Sequence, residues 1–442
     1  MGLLPLNYRR PDYVNGEELR RSETGTEVDE KVDASLKSGR SGASPSIPDA
    51  LAFDKIISGG TCPPCTIRDF MNYLIYIEHA AENLQFYLWY RDYVRRFSAA
   101  PVSETALSPE WTQKMEEDTI ATIQKDAADK AKKHSPIARE IFKGTDFEKA
   151  SVILVESQNP FSTPPRYSAG DSDSFSGSQA TTYVSQASDA FAAAGAKQPF
   201  TIQPFRSEIN RVIATYIVDD SPRQLNLSAR EQKAVVIALS YTTHPSALLT
   251  LSQNIENTLR RQAHPNFVRW TICNGNPARV TFARGLGVGT LLVAMIGSII
   301  LTLSKAGRGW RALFAILWVL GIATLIMAAK GMCVVLHGLH HRHVRPWELF
   351  LDENDTGIEQ LCEGNRSFDS FGSCNNYEDE PWVVRYQRRF YVRKVFDREV
   401  WIQEPALRQI QDTIFLQSML FAILGAGALT AVFVAVPAGN FF

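Results

Sequence analysis

Three stretches in the last third of the chain stay apolar for longer than a soluble helix requires. Ala283 to Leu303 carries one charge, Arg284, at its start, Trp310 to Leu336 holds Lys330 near its end, and Ile414 to Val436 carries none. About 20 residues at 1.5 Å rise cross a hydrocarbon core of roughly 30 Å, so each stretch predicts a membrane-spanning helix. The predicted spans are 280–304, 310–337 and 413–436. Gly285, Gly287 and Gly289 offer the first span a face on which a neighbouring helix can pack closely, and Lys330 is long enough to reach the interface.

Ahead of the spans the pattern is amphipathic. Residues 1–50 mix charges with Ser and Gly and show no apolar period, which predicts a flexible arm. From Thr66, the positions Phe70, Leu74, Ile77, Leu84, Leu88, Tyr93 and Phe97 recur at helical spacing with a break near Glu82-Asn83. This predicts two helices with a short joint, and a further helix follows around Trp111 to Lys133. Gln158 to Gln198 is dominated by Ser, Ala, Thr, Gly and Pro. With few large apolar side chains to repay the entropy of ordering, it predicts a disordered insert over about 158–198. Helical period returns with Phe205, Ile209, Val212, Ile213, Tyr216 and Ile217. Ser228, followed three positions later by Glu231, has capping-box spacing ahead of a helix over Ala229 to Tyr241. A last helix, Ala247 to Arg261, is predicted to stop before Pro265. No run alternates as a strand with hairpin chemistry, so the fold class is all-α: a helical bundle over 51–275, then three spans, with a polar loop at 338–412.

Composition sharpens this division. The 442 residues carry 46 basic and 47 acidic side chains, a net charge of −1 that gives no overall pull toward nucleic acid. A mean hydropathy of −0.14 conceals the membrane because it averages over unlike parts. Within the loop, Glu348 to Glu380 holds ten acidic residues and one base, Arg366. A basic block follows with Arg385, Arg388, Arg389, Arg393, Lys394 and Arg398, interleaved with Tyr386, Phe390, Tyr391 and Phe396. Such a stretch either rests on anionic lipid headgroups, forms a solvated helix face, or pairs with the acidic block. Met1 to Arg10 has no apolar core for a cleavable signal, and Leu6 breaks the myristoylation pattern, so the first span serves as the targeting signal.

Orientation is contested by the charges. Arg260, Arg261, Arg269 and Arg279 before the first span favour a cytosolic N-terminal region, which places the 338–412 loop in the cytosol too. Against this stand the basic turn Lys305, Arg308 and Arg311, the sequons at Asn354 and Asn365, and Cys362 with Cys374. The cytosolic loop is the preferred reading.

Other constellations carry less chemistry. Cys62-Pro63-Pro64-Cys65 has redox spacing but lies in a helical context, where a turn leading into a helix is the simpler reading. His337, His340 and His341 share a helix face at metal-compatible spacing, with His343 beyond. Because the nearest carboxylate in sequence is Glu348, a basic collar at the interface is preferred and no metal is expected. No phosphate-binding glycine loop, nucleophile elbow or HExxH motif occurs, so neither catalytic residues nor a cofactor are expected.

Glu82-Asn83-Leu84-Gln85-Phe86-Tyr87-Leu88 resembles the ENLxFWL-type signature of the regulator of G-protein signalling (RGS) fold, a bundle of about nine helices. Leu225-Asn226-Leu227-Ser228 is similar to the turn before its sixth helix, and His264 to Val268 to its terminal YPRFL-type segment. With three spans and an interrupted bundle, the chain looks like fungal RGS membrane proteins of the bud-site-selection, or axial landmark, type. The resemblance covers about 66–103 and 200–272 and implies a plasma-membrane protein whose partner is a heterotrimeric G-protein α subunit (Gα). The catalytic groups and Mg²⁺ would belong to Gα, whose switch segments the partner holds in the geometry of phosphoryl transfer. By this resemblance Glu82 and Asn83 meet a switch segment, and Asn226 reaches the residue that positions the attacking water. Read structurally, the same residues are a polar helix joint and a turn residue. Gln262 and Asn266 complete the expected Gα-facing set but depart from the family, whose active members carry an acidic and a basic residue there. That departure favours the alternative, a non-catalytic scaffold or polarity landmark whose spans assemble with another membrane protein.

A cytosolic loop leaves Asn354 and Asn365 unglycosylated. An endoglycosidase-sensitive mass shift that disappears when both are replaced by Gln would reverse the orientation.

Overall fold

The computed structural model describes residues 47–141, 176–219, 221, 223–349, 381–437 and 439. Helices make up most of them. In chain order these are α1 (Phe53–Ile57), α2 (Ile67–Tyr73), α3 (Ala81–Ala99), α4 (Val102–Thr105), α5 (Gln113–Ile141), α6 (Ser176–Ala193), α7 (Arg206–Val212), α8 (Ala229–Tyr241), α9 (Leu249–Thr258), α10 (His264–Ile272), α11 (Pro277–Leu303), α12 (Phe314–Ala329), α13 (Val334–Gly338), α14 (Pro381–Gln387), α15 (Tyr391–Val395) and α16 (Pro405–Ala435). Two short strands, β1 (His341–His343) and β2 (Glu399–Trp401), pair antiparallel with Arg342 opposite Val400. They were not expected in an all-helical chain, and three-residue strands are too short to show alternation.

The chain divides into two compact units, one built from Glu82–Glu256 and the other from the chain up to Ala81 and from Asn257 onward. In the Glu82–Glu256 unit the apolar stripe of α3 buries Leu84, Phe86 and Tyr93, with Phe86 meeting Tyr216 edge-on, and Ile209 of α7 and Leu239 of α8 are fully buried in the same unit. Polar groups carried into this core are matched in part, with Arg206 Nε and Asn210 Oδ1 buried without a partner. Tyr93 donates to the Thr243 carbonyl, Arg206 Nη1 donates to the Leu239 carbonyl near the end of α8 at 2.7 Å, and Arg96 Nη1 reaches Glu208 at 2.8 Å. The capping box is present as predicted: Ser228 and Glu231 satisfy each other's backbone N–H groups.

Two expectations change here. Part of the stretch expected to be disordered is helical: α6 packs against α7 and α8, burying Ala187 and Phe191 with Ala194 just beyond its end. These positions follow an i, i+4, i+7 pattern, and alanine contributes because it reaches a helix face at no side-chain entropy. The other part, 158–175, lies outside the described residues. Pro265 also fails to terminate its helix. A π-turn over Leu259–Ala263 leads directly into α10 with Pro265 in its first turn, where a missing N–H costs nothing.

In the other unit, α1, α2 and α10 share an aromatic core of Phe53, Phe70, Tyr73 and Phe267, with Phe70 and Phe267 at 5.0 Å between centroids. A capping box of Thr66 and Asp69 starts α2. This core joins the foot of α16. The Pro63 carbonyl accepts N–H groups of Gln403 and Glu404, both at 3.1 Å, and Gln411 Nε2 donates to the Ile272 carbonyl at 3.0 Å.

Among the described residues, three helices are long and apolar enough to cross a membrane: Pro277–Leu303, Arg308–Ala329 and Pro405–Ala435. The second stops earlier than expected. Lys330 caps it and Gly331 turns away at φ +74, close against Cys273, where a Cβ would meet Sγ at 2.6 Å. The middle span packs against both others, with Trp318 buried beside Ala294 and Ala426. Of the three glycines expected to mediate packing, only Gly287 does so: it faces Gly321, and a Cβ on either would stand 3.3 Å from the other's carbonyl. Gly285 and Gly289 face open space. At the far end Arg311, 1% exposed, donates to the carbonyls of Phe433 and Val436 at 2.8 and 2.7 Å.

Gly287→Val and Gly321→Val should each destabilise the protein by about 1–3 kcal/mol through overpacking. Gly285→Val and Gly289→Val should leave it unchanged. Thermal unfolding in lipid nanodiscs checks the contrast.

Candidate functional site

Glu82 and Asn83 lie in the first turn of α3, both partly exposed. Across the same unit, the turn between α7 and α8 is pinned on both sides of Asn226. Leu225 is buried and donates its N–H to the Tyr216 carbonyl at 2.9 Å, while Ser228 is held by its capping box. Asn226 itself is exposed. Tyr216 links the two places. Its ring meets Phe86 of α3 at 5.8 Å, its hydroxyl bonds Arg223, and its phenol is pushed up to about 12, chiefly by burial and with a contribution from the nearby Glu82 charge. Thus Glu82, Asn83 and Asn226 are borne by one compact unit, with Tyr216 in contact with both of their elements.

Gln262 and Asn266 belong to the other unit. Gln262 is exposed in the π-turn before α10, and Asn266 Oδ1 accepts from Arg269 Nη1 at 3.2 Å. Sequence reasoning missed a groove of about 440 Å³ in the Glu82–Glu256 unit, formed by α6, the Ile217–Asp219 turn and the start of α8. Gln232 crosses its floor to the Ile217 carbonyl and Asp219, at 2.6 and 3.0 Å. The only sequence signal for its α6 wall was the spacing of Ala187, Phe191 and Ala194.

The basic stretch resolves into two kinds of residue. Arg385, Arg388 and Arg393 are exposed, as are Phe390, Val392 and Phe396 beside them. Arg389 instead pairs with Asp397 at 2.8 Å, and Lys394 Nζ donates to the Gln387 carbonyl at 3.2 Å. α15 lies against the first turns of α11, through Tyr391 Oη donating to the Ala278 carbonyl and Phe396 meeting Phe282. An exposed basic and aromatic ridge therefore sits where the first span begins.

The Cys62–Cys65 segment forms a turn leading into α2. Cys65 is buried and its thiol is pushed up to about 12 by burial, the opposite of what a reactive thiolate needs. Cys62 is exposed, and its N–H donates to Glu404 Oε2 at 2.8 Å.

Two of the four histidines expected in a basic collar at the interface are withdrawn from solvent. His337 and His343 are buried, and burial holds both rings below their usual range. Arg279 Nη1 stands 3.2 Å from His343 Nε2 and pairs with Glu399 at 2.6 Å. Since arginine only donates, Nε2 must be the unprotonated acceptor. The adjacent guanidinium adds to burial in pushing His343 down to about 4.

Comparison of the chain with protein-family models, curated proteins and solved structures returns no match.

The unfolded chain protonates His343 near pH 6.5, whereas the folded one resists until about 4. Between these values the unfolded state binds more protons. Stability is therefore full above pH 6.5 and falls as the pH drops toward 4, with His264, also depressed by burial, acting in the same direction. Melting temperatures of the reconstituted protein at pH 7.5 and 5 should show this loss, and His343→Gln should shrink it.

Proposed function

We propose that the chain is a membrane-anchored, RGS-like regulator that binds a heterotrimeric G-protein α subunit at the cytosolic face of the plasma membrane. The observation that carries this reading is the presentation of Asn226. A neutral amide stands exposed on a turn pinned by Leu225 and Ser228, on the same frame as the polar first turn of α3. An amide can both donate and accept without adding charge, which suits a group that positions a water-orienting residue in Gα. Binding energy would serve to preorganise the switch segments, with the nucleophile, Mg²⁺ and phosphate all on the partner. The exposed ridge of Arg385, Arg388 and Arg393 would hold the adjoining surface against anionic headgroups, each residue contributing about 1 kcal/mol.

One observation favours the second reading, a polarity scaffold without GTPase acceleration. Asn266 is tied to Arg269, and Gln262 supplies no charge where active family members carry one.

The full chain in nanodiscs is the material to test, because α1, α2 and α10 share a unit with α16. Added to candidate Gα subunits in single-turnover GTP hydrolysis, it should accelerate phosphate release. Asn226→Ala should weaken binding to GTP-loaded Gα by at least about tenfold, or 1.4 kcal/mol. Binding without acceleration selects the scaffold reading, and no binding to any Gα rejects both the regulator and its proposed partner.

A further inference from the structure

In the sequence, the histidines after the second span lack an acidic neighbour. The fold supplies one from the other side of the loop, Asp412 in the second turn of α16. One ring nitrogen each from His337 and His340 and a carboxylate oxygen of Asp412 lie within 4.8 Å of one another. His337 Nε2 is 3.5 Å from Asp412 Oδ1.

Several features of this cluster point to a ligand. His337 is 5% exposed with its Nε2 facing Asp412, and the buried Nδ1 of His340 has no hydrogen-bond partner. The ring of Phe415 closes one side of His337 at 4.8 Å, so water has poor access there. His340 is held in the left-handed region at φ +53, unusual for a residue with a side chain. Its N–H donates to the His337 carbonyl and its carbonyl accepts from Ile402, both at 2.9 Å. This fixed turn sets the His340 ring across that of His337 at 5.9 Å, nearly perpendicular. Arg408, one turn before Asp412, lies over Trp401 at 4.9 Å.

We propose that His337, His340 and Asp412 bind a divalent first-row transition ion, with Zn²⁺ the best match. Two imidazoles and one carboxylate are the ligand types such ions take, whereas Ca²⁺ and Mg²⁺ seek oxygen-rich sites. Zinc bonds of about 2.0–2.2 Å place tetrahedral ligand atoms roughly 3.3 Å apart. The His337–Asp412 pair is already near that spacing, and rotation of the half-buried His340 ring closes the remainder. Three protein ligands leave a fourth position for water or an external ligand. The ion would fasten the segment after the second span to the foot of the third. This inference is independent of the Gα reading.

The test uses the full chain, purified without a histidine tag, treated with EDTA and reconstituted in nanodiscs. Calorimetric titration with Zn²⁺, and visible absorption on titration with Co²⁺, should each show one equivalent per chain, with no comparable uptake of Ca²⁺ or Mg²⁺. His337→Gln, His340→Gln and Asp412→Asn should each weaken Zn²⁺ binding by more than about tenfold, and His341→Gln should leave it unchanged. Zn²⁺ should also raise the unfolding temperature of the native chain but not of the His340→Gln/Asp412→Asn variant, whose replaced side chains are the less buried of the three. Absence of stoichiometric binding, or binding that these substitutions do not weaken, overturns the site.

Discussion

The buried carboxylate of Glu404 is the interaction on which the arrangement at the foot of the spans depends. It caps the N-terminus of α16 by accepting from Ala406, and it accepts from Cys62 at 2.8 Å. Its own N–H, with that of Gln403, goes to the Pro63 carbonyl. Near a bilayer, backbone groups that lose water need such partners, because each one left unmatched costs several kcal/mol. One side chain therefore satisfies the start of a spanning helix and the turn leading into α2. The first described helices, α1 and α2, belong to the same compact unit as α16.

What was legible in the sequence was local. Ser228 and Glu231 announce a helix start because a capping box is complete within four residues, and the spans announce themselves because lipid tolerates few other sequences. The misreadings share a different cause. Phe191 is buried only because α7 and α8 lie beside it, so composition classed its surroundings as an insert. Pro265 looks like a stop signal until a π-turn places it where its missing N–H does no harm. Asp412 meets His337 only once the loop has closed, which no spacing rule could reveal. Glu82, Asn83 and Asn226 fall between these extremes. Their positions on α3 and on the turn before α8 were readable, but the pinning of that turn through Tyr216 was not.

The basic stretch shows how a charge run divides once folded. Arg389 and Lys394 are drawn into local contacts that shape the segment, and Arg385, Arg388 and Arg393 remain outward beside exposed aromatic rings. The internal pairs hold the ridge in shape, and the outward charges are those available to a surface. Because α15 rests on the first turns of α11, the ridge and the first span form one feature at the interface.

Arg311 has a consequence for assembly. Its guanidinium is buried and bonded to the last carbonyls of α16, with a longer contact to Thr302 at the end of α11. Until α16 is in place those carbonyls are missing and nothing closes over the guanidinium. Once it is in place, taking the acceptors away would strand a buried charge, at a cost of about 3–5 kcal/mol. The ends of the three apolar helices are thus coupled through one side chain.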